Sequence, residues 1–276
     1  MTQDQTLSAT DQQAVIDLVR GAAAEHLVAA GTQAADRKAD GSWITATDQA
    51  MQTTLQEGLA DQFPSHGFLG EEMTAAEQEA AWRHCLDGQP TWVVDPLDGT
   101  SNFRLGFPVY SVTVALLIGG RTVFGVVFDP CRDECFHAAR GSGAWLNGAP
   151  LSLQDEPRQA LGSCLATVDF KRLPAPIATR LACEPPYASQ RSIGSVALDW
   201  CWVAVHRVQV YVHGKQKLWD YAAGQLILQE AGGASADLDG TIDYADQPLE
   251  PLPRSAVAAT HMGLLEEWLD VLTKEN

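Results

Sequence analysis

Two apolar runs, VYSVTVALLIGG (109–120) and RTVFGVVFDP (121–130), meet at the pair Gly119-Gly120. Both are rich in β-branched and aromatic residues, and a diglycine supplies the backbone freedom that a tight hairpin needs. The chain therefore contains antiparallel strands. Helical spacing recurs on both sides of them. Residues 11–30 place Val15, Leu18, Val19 and Ala22 on one face, with Thr10 as the expected cap. Further helices fit a stretch from Thr47–Asp48, residues 75–85, residues 195–206, a segment opening at Asp220 and ending at a Gly-Gly stop, and the last stretch HMGLLEEWLDVLTKE. Residues 36–46 read as a loop or short hairpin, and FLGEE (68–72), Thr91–Val94 and VQVYVHG read as strands. Mixed elements with antiparallel hairpins argue for layered α/β or α+β architecture rather than an all-parallel doubly wound sheet.

The charge narrows the function. Eighteen Lys+Arg stand against 35 Asp+Glu, a net charge of −17. Such a surface repels phosphate backbones and anionic lipid, so neither nucleic acid nor membrane is expected as a partner. The amino terminus lacks a basic and an apolar region of the secretory kind, and a cytoplasmic location is expected. The six cysteines form no CxxC pair. Cys131, Cys135 and His137 lack a fourth ligand at zinc spacing and fit an ordinary hairpin with reduced thiols.

Several acids fall where strands end or helices begin: Asp48, Glu71, Asp95, Asp98 and Asp220. Taken singly, each suits a helix cap or a solvated strand end. Asp95 and Asp98 are different. Pro96 holds Asp95 extended, the chain turns, and Gly99 allows a close approach. The two carboxylates and the Leu97 carbonyl then converge as three hard oxygens, a donor set suited to Mg²⁺.

WVVDPLDGTSNF (92–103), GEE (70–72) and WDYAAG (219–224) resemble the inositol monophosphatase family of Mg²⁺-dependent phosphatases. KADGSWITATD (38–48), VVFDPCRDECFHAARGSGAWLNG (126–148), RSIGS (191–195) and EAGG (230–233) support the resemblance, which runs in order over nearly the whole chain. It implies an αβαβα sandwich. Residues 1–276 would form one catalytic domain in two sub-halves, about 1–150 with most metal ligands and about 151–276 with Asp220 and the substrate-side loops. The resemblance further implies a cytoplasmic homodimer, inhibited by lithium, that hydrolyses a small phosphorylated metabolite. Glu71, Asp95 and the Leu97 carbonyl would bind one Mg²⁺ and Asp95, Asp98 and Asp220 a second, with a possible third near Glu71. Thr100, oriented by Asp48, would help activate water beside Glu71. Gly99 and Thr100 would hold phosphate. Gly194, Ser195, His213 and Lys38 would stand on the substrate side with Asp98 and Asp220.

One position departs from the pattern. Where animal inositol enzymes carry a glutamate that contacts substrate hydroxyls, this chain has His213, with Lys215 and Lys217 nearby. The change is either a neutral loop difference or a sign of a substrate other than inositol 1-phosphate, such as one with a second anionic group. Fructose 1,6-bisphosphate, 3′-phosphoadenosine 5′-phosphate and histidinol phosphate are the alternatives within the wider family. A catalytically weak regulatory or binding protein on the same fold is the alternative of another class. The segment ADLDGT (236–241) matches a dehalogenase-type phosphatase signature with Asp237 as nucleophile, but that chemistry needs a strand before it. EAGGAS reads instead as a helix end and turn, which makes Asp237 a loop residue.

Overall fold

A computed structural model describes residues 7–27, 35–37, 43–242 and 247–274. Helix α1 (Ala9–His26) is followed by a small antiparallel hairpin, β1 (Ala35–Arg37) and β2 (Trp43–Thr45), and then by α2 (Ala46–Gln62). A large sheet comes next, from β3 (Gly67–Gly70), α3 (Ala75–Leu86), β4 (Thr91–Asp98), α4 (Thr100–Leu105), β5 (Ser111–Ile118), β6 (Arg121–Asp129), β7 (Glu134–Ala139), β8 (Gly143–Leu146) and β9 (Ala149–Leu151). The remainder builds a second sheet: β10 (Leu165–Asp169), α5 (Ala175–Cys183), β11 (Ser189–Arg191), α6 (Val196–Ala204), β12 (Val210–Gln216), α7 (Leu218–Glu230), β13 (Ala234–Ala236), β14 (Arg254–Ala259) and α8 (Met262–Thr273).

The large sheet runs β3-β4-β5-β6-β7-β8-β9 and is antiparallel except for β3 beside β4. The smaller runs β11-β10-β12-β14-β13, parallel on one side of β12 and antiparallel on the other. Side chains alternate between the faces of a strand. On β5, Val112, Val114 and Leu116 pack toward α1 and α2, while Ala115 and Leu117 pack toward α6 and α7. Both faces are thus buried, which is why the strand reads as an unbroken apolar run. A third apolar cluster joins the smaller sheet to α5 and α8. The layers are α1/α2, large sheet, α6/α7, small sheet and α5/α8, the expected αβαβα order. Among the described residues, no helix is long and apolar enough to cross a membrane.

Gly119 and Gly120 make the hairpin with φ of 56° and 74°, as the diglycine predicts. Some boundaries differ. Helix α1 is capped by Ser8 Oγ, which accepts the Asp11 N–H, and Thr10 lies inside the helix. Helix α7 opens at Leu218, so Asp220 is its third residue and its carboxylate accepts the Lys217 N–H at 2.8 Å. Strand β4 does not stop at Val94. It continues to Asp98, with an irregularity in pairing to β5 between Asp95 and Asp98. A bulge there re-aims side chains without ending the strand.

Candidate active site

The acids meet because several strand ends and helix starts open into one cavity of about 790 Å³. Its lining includes Glu71, Asp95, Leu97, Asp98, Thr100 and Asp220. Each is pinned by local chemistry. The Glu71 N–H donates to Val94 O, and Gln78 Nε2 holds the carbonyls of Gly70 and Glu71. Asp95 Oδ1 accepts the Leu97 N–H at 2.9 Å across the proline turn. Asp98 reaches to α6, where Oδ2 accepts from Ser195 Oγ at 2.5 Å and from Ala197 N–H at 2.9 Å, and Oδ1 from Val196 N–H. A carboxylate facing free N–H groups at a helix start is favourably placed. Trp219 O, next to Asp220, accepts from Thr113 Oγ1 at 2.7 Å and ties α7 to β5. Gly224 completes the α6–α7 contact, for a Cβ there would lie 2.6 Å from Trp200 Cβ.

The crowding of acids has a cost. Burial first, then repulsion from Glu71, Asp98 and Asp220, pushes the Asp95 carboxyl well above its ordinary range. Asp220 is driven up by burial and by Glu71 and Asp98. Asp98 is raised to about 6, chiefly by burial, with the Ser195, Ala197 and Val196 donors pulling the other way. Like charges held together out of water disfavour ionisation. Lys217 Nζ stands 3.7 Å from Glu71 Oε1 and offsets part of the excess. Among the described residues, no three His, Cys, Asp or Glu side chains are drawn to ligand distance around one point. Asp95, Asp98 and Asp220 are instead turned onto the N–H donors just named.

Asp48 is 1% exposed. Its Oδ2 accepts from the Thr45 N–H at 2.7 Å and its Oδ1 from Thr100 Oγ1 at 3.1 Å. Burial raises its pKa, against the Thr45 and Thr100 hydrogen bonds. Thr100 Oγ1 also stands 3.0 Å from the Leu97 carbonyl, so Asp48, Thr100 and Leu97 form one connected group. Gly99 sits at φ 92° against Val109 O, where a Cβ would come within 3.1 Å. Asn102 Nδ2 donates to Val109 O and Ile193 O, both at 2.7 Å, and so ties the DGTSN turn to the loop of Gly194.

Ser195 and His213 also line the cavity. Ser195 is 1% exposed, and its hydroxyl donates to Asp98. His213 is 2% exposed, with both ring nitrogens engaged by protein partners. Lys38 lies outside the described residues. Asp237 does follow a short strand, β13, contrary to the reading of EAGGAS as helix end and turn. It is nevertheless bound to the Arg254 guanidinium at 2.8 Å in a turn, and the cavity lining does not include it.

The cavity also holds residues that pattern reading passed over. Asp169 ends the apolar strand LATVD much as Asp95 interrupts WVVD, and that shared signature was available. Asp199 is the lone charge in the apolar helix VALDWCWVA; burial drives its carboxyl well above the ordinary range. Arg37, Lys171 and Arg172 line the cavity too, together with the Lys215 and Lys217 noted beside His213. Five of the 18 Lys and Arg thus gather at one opening in a chain of net charge −17.

The inositol monophosphatase family model matches residues 3–274. A Haemophilus influenzae protein named Nus factor SuhB is 40% identical over 212 residues, covering 75% of this chain and 76% of that protein. Inositol monophosphatase 1 of Solanum lycopersicum is 38% identical over 236 residues, covering 83% and 82%. Among solved structures, the extragenic suppressor protein suhB of Bartonella henselae superposes with a TM-score of 0.81 at 26% identity, over 97% of this chain and all of that one. The Thermotoga maritima IMPase gives a TM-score of 0.79 at 25% identity, over 95% and 96%. A layered fold with an acid-floored cavity places the chain among phosphatase-type hydrolases. It belongs to the inositol monophosphatase family.

Proposed function

We propose that the cavity hydrolyses a small phosphate monoester with the help of Mg²⁺, the preferred substrate being inositol 1-phosphate or a related polyol or sugar phosphate. The observation that carries this reading is the set of four acids and one carbonyl on a single cavity floor, with Asp95 and Asp220 held well above the ordinary carboxylate range. That donor set is all hard oxygen, which fits Mg²⁺, and a cation would relieve the repulsion that raises those acids. Glu71, Asp95 and the Leu97 carbonyl would hold one ion, and Asp95, Asp98 and Asp220 another. When bound, such a pair lowers the pKa of a water and stabilises the leaving alkoxide.

The chain's own groups do the rest. Asp48 accepts from the Thr100 hydroxyl and fixes it beside the Leu97 carbonyl, where it can orient a water and pass on its proton. Glu71 borders the same floor and would assist that deprotonation. The N–H groups of Gly99 and Thr100 would receive the phosphate oxygens. Ser195 and the start of α6 donate to Asp98 and favour its ionised form against the burial that raises it. Phosphate esters resist hydrolysis because their charge repels nucleophiles, so neutralisation and placement supply most of the catalysis. No protein nucleophile is required.

The test is phosphate release from a panel of inositol 1-phosphate, fructose 1,6-bisphosphate, 3′-phosphoadenosine 5′-phosphate and histidinol phosphate, with and without Mg²⁺. Preference for inositol 1-phosphate over the other three supports the reading, while turnover of none defeats it. A bisphosphate is the alternative within the family, and the five cations at the opening favour it. A second reading, a regulatory binding protein on the same fold, draws on the relative named Nus factor. Mg²⁺ binding without hydrolysis of any ester would favour that reading.

A further inference from the structure

On the wall of the same cavity, β10 ends beside the neighbouring parallel strand β12. Asp169 on β10 is in direct register with His213 on β12. His213 Nε2 stands 3.1 Å from Asp169 Oδ2, and His213 Nδ1 accepts the Lys215 N–H at 3.1 Å. Because Nδ1 accepts, the ring proton sits on Nε2 and is donated to Asp169. Asp169 Oδ1 accepts the Lys171 N–H at 3.0 Å. The loop after Asp169 is pressed onto β12: a Cβ on Gly214 would lie 1.9 Å from Arg172 O, so only glycine permits this approach. Arg172 Nη1 reaches Lys215 O across the same seam. One carboxylate is thus held by two donors, on a loop pressed against β12.

The fixed group opens to the cavity. The His213 side chain is 3% exposed and the Asp169 side chain 26%. Each Asp169 oxygen accepts one protein hydrogen bond and keeps room for a second acceptance. Burial opposes its charge, but the His213 hydrogen bond, the Arg172 charge and the Lys171 N–H together hold its pKa below the ordinary value. The side chain therefore presents a permanent acceptor. Lys171, Arg172 and Lys215 line the cavity around it. An ammonium-bearing ester would meet those cations, whereas a hydroxyl can donate to Asp169 and accept from a neighbouring lysine or arginine.

We propose that Asp169, aimed by His213, sets substrate choice by accepting hydrogen bonds from the hydroxyl groups of a polyol or sugar phosphate. This rests on the phosphatase reading of the acid floor. Asp169 is the specificity residue, and His213 is a positioning residue that never reaches the substrate.

The test compares kcat/KM for inositol 1-phosphate with that for p-nitrophenyl phosphate, which lacks hydroxyls, in the wild type and in isosteric Asp169→Asn. A lost hydrogen bond to a charged acceptor predicts that the ratio falls about tenfold or more, mainly through KM. His213→Ala should lower it as Asp169→Asn does. His213→Gln, which keeps an N–H donor, should restore it to within about threefold of wild type. Thermal melting of each variant separates misfolding from altered recognition. A ratio unchanged in both Asp169→Asn and His213→Ala overturns the proposal. A wild type that hydrolyses neither ester with Mg²⁺ overturns the phosphatase reading, and the proposal with it.

Discussion

On the acid floor of the cavity Asp95, Asp98 and Asp220 are pushed up by burial and by Glu71, and Asp95 and Asp220 also by Asp98. On the end of β10 that lines the same cavity, Asp169 is partly buried too but is held down by His213, Arg172 and the Lys171 N–H. The same side chain on the same fold behaves in opposite ways. Burial is common to both places, so the partners decide the difference. Repelling acids make a floor that calls for a cation, and a carboxylate among donors makes a lasting acceptor. Reaction and recognition can thus occupy one opening without sharing residues.

The largest effect expected on this contrast is at the acid floor. Asp220→Asn should reduce phosphate release about a thousandfold or more with the melting temperature preserved, since charge neutralisation carries most of the catalysis. Near-normal turnover in that variant would remove the functional distinction between the two places. Next comes the response to metal. A ligand at roughly a hundred times its Kd adds about 2.7 kcal/mol to stability, so Mg²⁺ should raise the melting temperature by several degrees. Asp95→Asn should abolish most of that rise, whereas Asp169→Asn should leave it in place.

The pH dependence follows from the same shifts. Asp98 has a folded-state pKa of about 6, above its ordinary 3.8. Between those values the folded state binds more protons than the unfolded, so stability falls with rising pH. The metal-free protein should therefore lose stability as pH rises through about 6, a loss that Mg²⁺ reverses. A metal-free melting temperature that climbs over this range would contradict the assigned direction. Ser195→Ala should act more modestly, because it removes one donor to Asp98. About a tenfold fall in kcat is expected, with the Asp98 pKa moving further up. The smallest effect belongs outside the cavity. Asp237→Asn breaks a partly exposed ion pair with Arg254, worth about 1 kcal/mol or less, and should leave turnover unaltered.

Much of this arrangement was legible in the sequence, though unevenly. The β5–β6 hairpin was readable because two glycines and two continuous apolar runs are local signals. The acid floor was readable because DPLDGT and WDYAAG are compact motifs. The course of β4 through Asp98 was not, since a proline and two acids ordinarily end a strand and only pairing with β5 across an irregularity carries it on. The contact of His213 with Asp169 is hidden from the sequence for a similar reason. It depends on register with Asp169, 44 residues earlier, on a strand whose place beside β12 is set by tertiary packing. The bond from Ser195 to Asp98 is likewise invisible in the sequence, because it depends on Asp98 turning toward α6.

The central claim is that the acid floor is a Mg²⁺-dependent phosphomonoesterase site, and Mg²⁺ titration of phosphate release tests it most directly. Metal-stripped protein should be inactive on inositol 1-phosphate, regain turnover in a saturable way as Mg²⁺ is added, and fail to do so as Asp95→Asn. Turnover that persists after metal removal, or an Asp95→Asn variant restored by Mg²⁺ to wild-type rate, would contradict the account.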